Sequence, residues 1–542
     1  MVTIFPAAAY QDIVEEEVFG RRTPVYQKRP HDLRDMLQQS VTSYGERTCL
    51  VQDEVRWTFS DFARHVDSVA AEFQQRWNIS SGERVAILLN NRLEFAVAYY
   101  AAVTIGAIAV VLNARCKAPE LEFMLRDSEP RVLITEPILY EEVSSVLERV
   151  PTLEAVVLCA DDAVLPSHTL SFDTLTQAFR KPFQVAIAED DIAALLYTSG
   201  TTGQPKGAMQ THRNLVNNAM IATRLLQFGP DDRTLIVAPF YHATGVNSQL
   251  TAMLYAGGTS VVRPAFKADD FMEWIERERV TLAIGVATMF WLMLHSPNFA
   301  RYDLSTVRAI IYGGSPAPVE LLEQLSQTFP EVQLGNVWGL TECTSMVTLL
   351  PGSESLRIPA SVGLPAPVLQ VRVVDDAGQE VPEGEIGELI VKGPSVVRGY
   401  WRRPEATAST FKDGWLYTGD IGRKDADGFL YVLDRKKDMI IRGGQNIYSI
   451  EVENVLYQHP AVLEAAVVGV ADEVFGEQVK AVLVPKPGMI LDVEEVRDFC
   501  KRAIAVYKVP KYVEIVAALP RNPGGKVMKN QLRQVPSSSS KV

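Results

Sequence analysis

The sequence predicts an α/β protein: a large N-terminal domain of doubly wound mixed sheets carrying a small β-barrel, followed by a smaller, mobile C-terminal α/β domain. Three observations carry this reading. Residues 1 to about 180 alternate helical and strand patterns, the rhythm of a mostly parallel sheet. From Ser361 to Asp434 the text changes to short alternating strands broken by turn residues, as in VLQVRVVDDAGQEVP and GEIGELIVKGPSVVRGY. The charged connector Arg435-Lys436-Lys437-Asp438 then leads into a last small α/β stretch, and such solvated connectors are where domains rotate. The expected division is therefore 1–434, with the barrel at about 361–434, and 435–542.

The first elements follow from apolar spacing. RWTFSDFARHVDSVAAEFQQ places Phe59, Phe62, Val66, Val69 and Phe73 on one helical face. Val85–Leu89 reads as a strand, Leu93–Ile105 as a helix and Ala107–Leu112 as a strand, all of it scaffold. The most apolar run, Ala96–Leu112, is broken by Gly106 and is short for a membrane span, so a buried helix running into a strand explains it.

Composition bounds the partners. At 542 residues the chain exceeds one core, and its 47% apolar and 22% charged residues are ordinary for a globular protein. A net charge of −13 argues against general nucleic-acid binding. From Lys501 onward the only acid is Glu514, among Lys508, Lys511, Arg521, Lys526, Lys529 and Arg533; a polyphosphate ligand and a solvated surface explain this equally. Cys49, Cys116, Cys159, Cys343 and Cys500 are scattered without metal spacing, as in a reduced, cytoplasmic protein. No secretion signal is expected at Met1–Tyr10, and the final Ser-Ser-Lys-Val departs from the peroxisomal Ser-Lys-Leu.

The chemistry begins at LLYTSGTTGQPKGAMQTH, Leu195–His212. A buried strand, Ile192–Tyr197, runs into Thr198, Ser199, Gly200, Thr201, Thr202 and Gly203, with Lys206 behind Pro205. Hydroxyls, bare backbone N–H groups and one ammonium suit polyanionic oxygens, and glycine permits close approach. A Walker A loop is excluded, because Pro205 stands where its second glycine belongs and Gly207 follows the lysine. A helix over 211–227 and a strand Thr234–Ala238 lead to PFYHATG, Pro239–Gly245, where Tyr241 and His242 sit at a strand's carboxyl end. A core histidine bonded to backbone is the alternative for His242.

RAIIYGGSPAP, Arg308–Pro318, ends a strand in Gly313-Gly314, with Ser315 expected as N-cap and Pro316 as the first helical residue. Two glycines there let a flat ring lie on bare backbone; a plain strand–helix turn would look the same. VQLGNVWGLTECT, Val332–Thr344, is a strand and loop carrying Asn336, Trp338, Gly339, Thr341 and Glu342. Mg²⁺ keeps several waters and needs few protein carboxylates, so one glutamate suffices. Asp420 in YTGD reads locally as a hairpin cap.

YTSGTTGQPKG resembles the phosphate loop of the adenylate-forming enzymes, which include acyl-CoA synthetases, coumarate-type CoA ligases, luciferases of the firefly type and peptide-synthetase adenylation domains. The resemblance extends through the later motifs across nearly the whole chain, with a pattern nearest to fatty acid–CoA ligases. It implies that Thr198–Lys206 hold the ATP phosphates, that Gly313–Ser315 and Trp338 frame the base, that Asn336 and Gly339 belong to the same nucleotide site, and that Asp420 and Arg435 bond the ribose. It assigns Thr341 to the α-phosphate and Glu342 to Mg²⁺. Tyr241, His242 and Gly245 become a gate to the acid, with Gly313 and Gly339 also lining it. Lys526 in PRNPGGKVMKNQLR reaches the reacting carboxylate, Lys437 is the hinge, and Gly443-Gly444 let the CoA thiol pass.

The expectation is thus a two-step, ATP-dependent carboxylic acid–CoA ligase using Mg²⁺ and CoA. Medium- or long-chain fatty acids are the first substrates expected, on the apolar tracts GVNSQLTAMLYAGG and AIGVATMFWLM; aryl or arylpropenoic acids come second. A luciferase-like oxidoreductase sharing the adenylate is a remoter alternative. An amino-acid-activating domain would carry an Asp where Tyr241 and His242 stand. Gly339 is expected to open the acid pocket where acetate-activating relatives carry Trp. Oligomeric state is not written in the sequence, a homodimer being compatible with it.

Overall fold

A computed structural model describes residues 4–160, 165–177, 179–198, 204–314, 317–521 and 527–534. A seven-stranded sheet has the order Lys206–Thr211, Ile192–Thr198, Ile108–Val111, Arg84–Leu88, Val132–Thr135, Ala155–Leu158, Thr169–Ser171. All its pairings are parallel except the first. The helix Phe59–Trp77 starts at a capping box, in which Thr58 and Asp61 each accept the other's backbone N–H at 3.0 Å. Its apolar face packs on the helix Leu93–Thr104, buried at every position except Glu94. The apolar run Ala96–Leu112 is therefore core. Among the described residues no helix is long and apolar enough to cross a membrane.

The nine-stranded sheet positions the site. Its order is Leu364–Pro365, Ser345–Pro351, Gln333–Leu340, Ala309–Gly313, Leu282–Gly285, Arg233–Ile236, Thr259–Val262, Thr48–Gln52, Val55–Thr58. From Gln333–Leu340 to Thr48–Gln52 the neighbours are parallel. The chain leaving Arg233–Ile236 goes on to Thr259–Val262 on one side, whereas that leaving Leu282–Gly285 goes on to Ala309–Gly313 on the other. Adjacent parallel strands whose connections diverge leave a crevice outside their carboxyl ends. Pro239–Gly245 and Val286–Met289 follow those two ends.

Gln370–Val374, Ile386–Lys392, Trp415–Lys424 and Phe411–Lys412 form an antiparallel sheet in that order, with Leu430–Arg435 also on Trp415–Lys424. The bridge Gly363–Leu430 ties it to the large sheet's edge. After the turn at 436–438 comes a second five-stranded sheet, Gln445–Ile447, Ile440–Arg442, Gly476–Pro485 and Val462–Asp472, with Tyr512–Ile515 parallel to Gly476–Pro485. The helices Ser449–Tyr457 and Val493–Ala503 cover it through Val452, Leu456, Val496 and Cys500.

The stretch Lys206–Thr211 is a strand, antiparallel to Ile192–Thr198, and it leads into the expected helix at His212. One expectation needs correction. The helix expected from Pro316 begins at Val319, with Pro318 in the N-cap position; the ring of Pro318 disfavours a helical Ala317. At the basic end the described cations Lys501, Lys508, Lys511, Arg521, Lys529 and Arg533 each pair with an acid, respectively Asp498, Glu451, Asp472, Glu464, Glu453 and Asp438.

Candidate active site

Two carboxylates organise the residues gathered beside the large sheet. The first is Asp420, buried on the long strand Trp415–Lys424. Its Oδ2 accepts the indole N–H of Trp338 at 3.0 Å, and its Oδ1 faces Nε of Arg435 at 2.6 Å. Asp420 and Arg435 also stand opposite each other in strand register. A carboxylate offers four acceptor directions, and among the described residues these two contacts take two of them.

Trp338 lies on Gln333–Leu340, whose register sets Gly313 opposite Val337. A Cβ on Gly313 would press on the Val337 carbonyl, so glycine is required there by strand contact. Gly314 differs: its φ is +77° and almost nothing lies over it, leaving bare backbone at the strand's end. Asn336 turns inward and donates to the Ser361 carbonyl at 3.0 Å, tying down a loop.

The second carboxylate is Glu342, in the single turn Thr341–Cys343 directly after that strand. Its Oε1 accepts the hydroxyl of Tyr400 at 2.8 Å. The ammonium of Lys206 sits 5.3 Å from the centre of the Tyr400 ring. Lys206 pairs with Thr198 across the two strands that hold the hydroxyl-rich loop, so both ends of that loop are fixed by backbone. Buried amides support the turn from behind. Gln210 donates to the Thr341 carbonyl at 3.3 Å, and Asn247 donates to Gln210 at 3.1 Å and to the Thr344 carbonyl at 2.6 Å. Tyr400 escaped the sequence reading, because only the fold brings it to Glu342, 58 residues away.

The crevice side carries Tyr241 and His242. Burial pushes the Tyr241 phenol up, against the opposing charge of Arg115. His242 is exposed, and its Nδ1 accepts the backbone N–H of Thr244 at 3.3 Å and lies 3.2 Å from the Thr244 hydroxyl. Gly245 is needed for close approach, since a Cβ would overlap the carbonyls of Ala238 and Pro239. It opens a wide π-helical turn, Thr244–Thr251.

Gly339 is exposed. A Cβ there would overlap the Ser345 carbonyl on the neighbouring strand, next to the register shift at Trp338/Gly339, so strand contact by itself calls for glycine at this position.

At the connector the partners change between two lysines. Lys436 Nζ pairs with Asp376 at 2.8 Å and Glu388 at 3.3 Å, both before the connector. The carbonyl of exposed Lys437 accepts from Arg533 at 2.9 Å. Buried Asp434 reaches across the turn, accepting the backbone N–H and hydroxyl of Ser449 at the head of its helix. Burial raises the Asp434 carboxyl, with Lys529 opposing. Gly443 (φ +58°) and Gly444 (φ +79°) form a two-residue hairpin turn between Arg442 and Gln445, with open space over Gly444. Ser199, Gly200, Thr201, Thr202, Gly203, Ser315 and Lys526 lie outside the described residues.

Residues 37–401 match the family model described as AMP-binding enzyme, and 451–526 match that of the AMP-binding enzyme C-terminal domain. The chain belongs to the AMP-binding enzyme family. A feruloyl-CoA synthase from Amycolatopsis sp is 38% identical over 88% of this chain and 93% of its own. An indoleacetate–CoA ligase from Aromatoleum aromaticum is 37% identical over 83% of this chain and 88% of its own. A solved anthranilate CoA ligase in complex with anthranoyl-AMP superposes with a TM-score of 0.85, at 28% identity, covering 94% of this chain and 97% of that one. As a member of this family the chain is an adenylate-forming acid–thiol ligase, with ATP, Mg²⁺ and CoA as its co-substrates and cofactors.

Proposed function

We propose that the acid is aryl or arylpropenoic rather than a long aliphatic chain. The observation that carries this is the pair of relatives named for feruloyl and indoleacetate substrates, similar across most of the chain. The diverging-strand crevice supports it, since half-buried Tyr241 and partly buried Met289 stand at its two sides and offer flat and adaptable contacts. Medium- or long-chain fatty acids remain the second reading, favoured by the apolar helix Ala287–Leu294. The five buried free thiols support a reducing, cytoplasmic setting. Pyrophosphate release over acids graded in length and aromaticity tests the proposal: arylpropenoates give the highest kcat/KM, and a maximum at twelve or more aliphatic carbons, a length set on the order of a fatty chain, refutes it.

The residues then take these parts. The acid carboxylate attacks the α-phosphorus, pyrophosphate leaves, and catalysis is positioning with charge neutralisation. Asp420, steadied by Trp338 and Arg435, takes the ribose hydroxyls with its remaining acceptor directions. The bare backbone at Gly314 and the Trp338 ring frame the base. Lys206 and Thr198 hold the ends of the loop that receives the outer phosphates. Glu342, a lone hard carboxylate, suits Mg²⁺ that keeps its waters and phosphate oxygens, and the metal supplies charge neutralisation when bound. His242 stands beside the acid carboxylate, and Thr341 meets the α-phosphate. Lys526 neutralises the approaching anions in the first step. Rotation about Lys437, next to Lys436 with its partners before the connector, then replaces it with the open Gly443-Gly444 turn for CoA.

A further inference from the structure

We infer that Tyr400 is a positioning residue that sets the metal-binding carboxylate and the phosphate-binding ammonium relative to each other. The inference rests on reading Glu342 as the Mg²⁺ ligand and Lys206 as a phosphate ligand. Tyr400 is buried, with 7% of its surface exposed, and it touches both groups: its hydroxyl donates to Glu342 Oε1 at 2.8 Å, and its ring faces Lys206 Nζ at 5.3 Å.

The backbone around Tyr400 is held on both sides. It bridges Ala208; Met209 N–H donates to the Gly399 carbonyl at 3.0 Å, and Trp401 N–H to the Gly207 carbonyl at 2.8 Å. These bonds bind Tyr400 to the strand that Lys206 begins. Its own N–H donates to Thr407 Oγ1 at 3.0 Å, and the ring meets Phe411 edge-on. On the other side, Val397 N–H donates to the Glu342 carbonyl at 2.9 Å, which fastens the same segment to the Thr341–Cys343 turn. Phosphate loop and metal turn are thereby referred to one rigid ring.

The chemistry explains the choice of residue. A glutamate has three rotatable bonds, and freezing them on metal binding costs entropy. A neutral phenol fixes Oε1 without adding charge, whereas an ammonium there would compete with the cation. The ring's electron-rich face meanwhile holds Lys206 without taking any of its three N–H donors. Both ligands are therefore set before ATP arrives, and neither is consumed in the setting.

Mn²⁺ in place of Mg²⁺ allows binding to be read directly by paramagnetic resonance of the free ion, with a non-hydrolysable ATP analogue present. Tyr400→Phe keeps the ring and loses the donor. Its Kd for Mn²⁺ rises about 3–10-fold, one hydrogen bond's worth. Its Kd for metal-free ATP, from calorimetry, stays at the wild-type value. Tyr400→Leu loses the ring as well, and metal-free ATP then weakens by about 2–5-fold, the range of one cation–π contact. Glu342→Gln raises the Mn²⁺ Kd at least as much as Tyr400→Phe, and the double variant matches Glu342→Gln alone. An unchanged Mn²⁺ Kd in Tyr400→Phe, or effects that add in the double variant, overturns the inference while the Glu342 assignment stands. An unchanged Mn²⁺ Kd in Glu342→Gln removes that assignment and the inference with it. Should Tyr400→Leu not fold, the Phe and Gln cycle decides alone.

Discussion

The indole N–H of Trp338 donates to Oδ2 of Asp420 at 3.0 Å, joining the strand Gln333–Leu340 to the antiparallel sheet 82 residues further on. The bond leaves Asp420 held by Trp338 on one oxygen and Arg435 on the other. Trp338→Phe keeps a ring for the base and frees that oxygen. The KM for ATP should rise about 3–10-fold, the range of one hydrogen bond, while the KM for the acid is unchanged. Steady-state kinetics with each substrate varied checks this.

Gly339→Ala should cost stability and leave selectivity alone. Its Cβ would overlap the Ser345 carbonyl, so the two strands must part. A melting temperature several degrees lower, for about 2–3 kcal/mol of strain, is expected with the wild-type ranking of acids. A stable variant with a shifted ranking would return Gly339 to the acid pocket.

The connector can be tested by half-reactions. Lys437→Pro fixes φ at the position where partners change and should impede rotation. Acid-dependent pyrophosphate exchange survives and CoA-dependent turnover falls by at least about tenfold, on the order of 1.4 kcal/mol. Equal loss of both, in a variant with a native circular dichroism spectrum, places the pivot elsewhere.

Burial lowers the pKa of His212 to about 4, although Asp32 and Asp191 oppose the shift. Leu33 N–H donates to its Nδ1 at 3.3 Å, and the ring opens the helix His212–Leu226, at the positive end of its dipole. In the unfolded chain the imidazole has its ordinary pKa of about 6.5. Between those values the unfolded state binds the extra proton, so stability is lost as pH falls from 6.5 to 4. The stability lost across that range is on the order of 3 kcal/mol. Urea midpoints of His212→Gln should vary less between pH 7.5 and pH 5 than those of the natural protein; an identical slope assigns the acid sensitivity elsewhere.

The parts legible in the sequence were those fixed by local pattern. The helix Phe59–Trp77 announces itself by spacing and cap, and the strand Ile192–Thr198 by its apolar run. The stretch Lys206–Thr211 has only one β-branched residue, Thr211, and is a strand because Ile192–Thr198 offers it an edge. The candidate residues Trp338, Glu342, Asp420 and Arg435 stand out by motif, yet the bonds that join Trp338 and Arg435 to Asp420 do not. Tyr400 had no local mark at all, since its importance comes from two partners distant in sequence. For Gly339, a glycine needed for strand contact and one that opens a pocket look identical in sequence, and only the fold reveals the Ser345 carbonyl beside it.

The central claim, that an aryl acid is activated as its adenylate before CoA takes part, is tested most directly by isotope exchange between pyrophosphate and ATP with CoA omitted. The account predicts rapid exchange that depends on an arylpropenoate and on Mg²⁺, and AMP as the nucleotide product once CoA is added. Exchange that requires CoA, or turnover yielding ADP and orthophosphate, would contradict it.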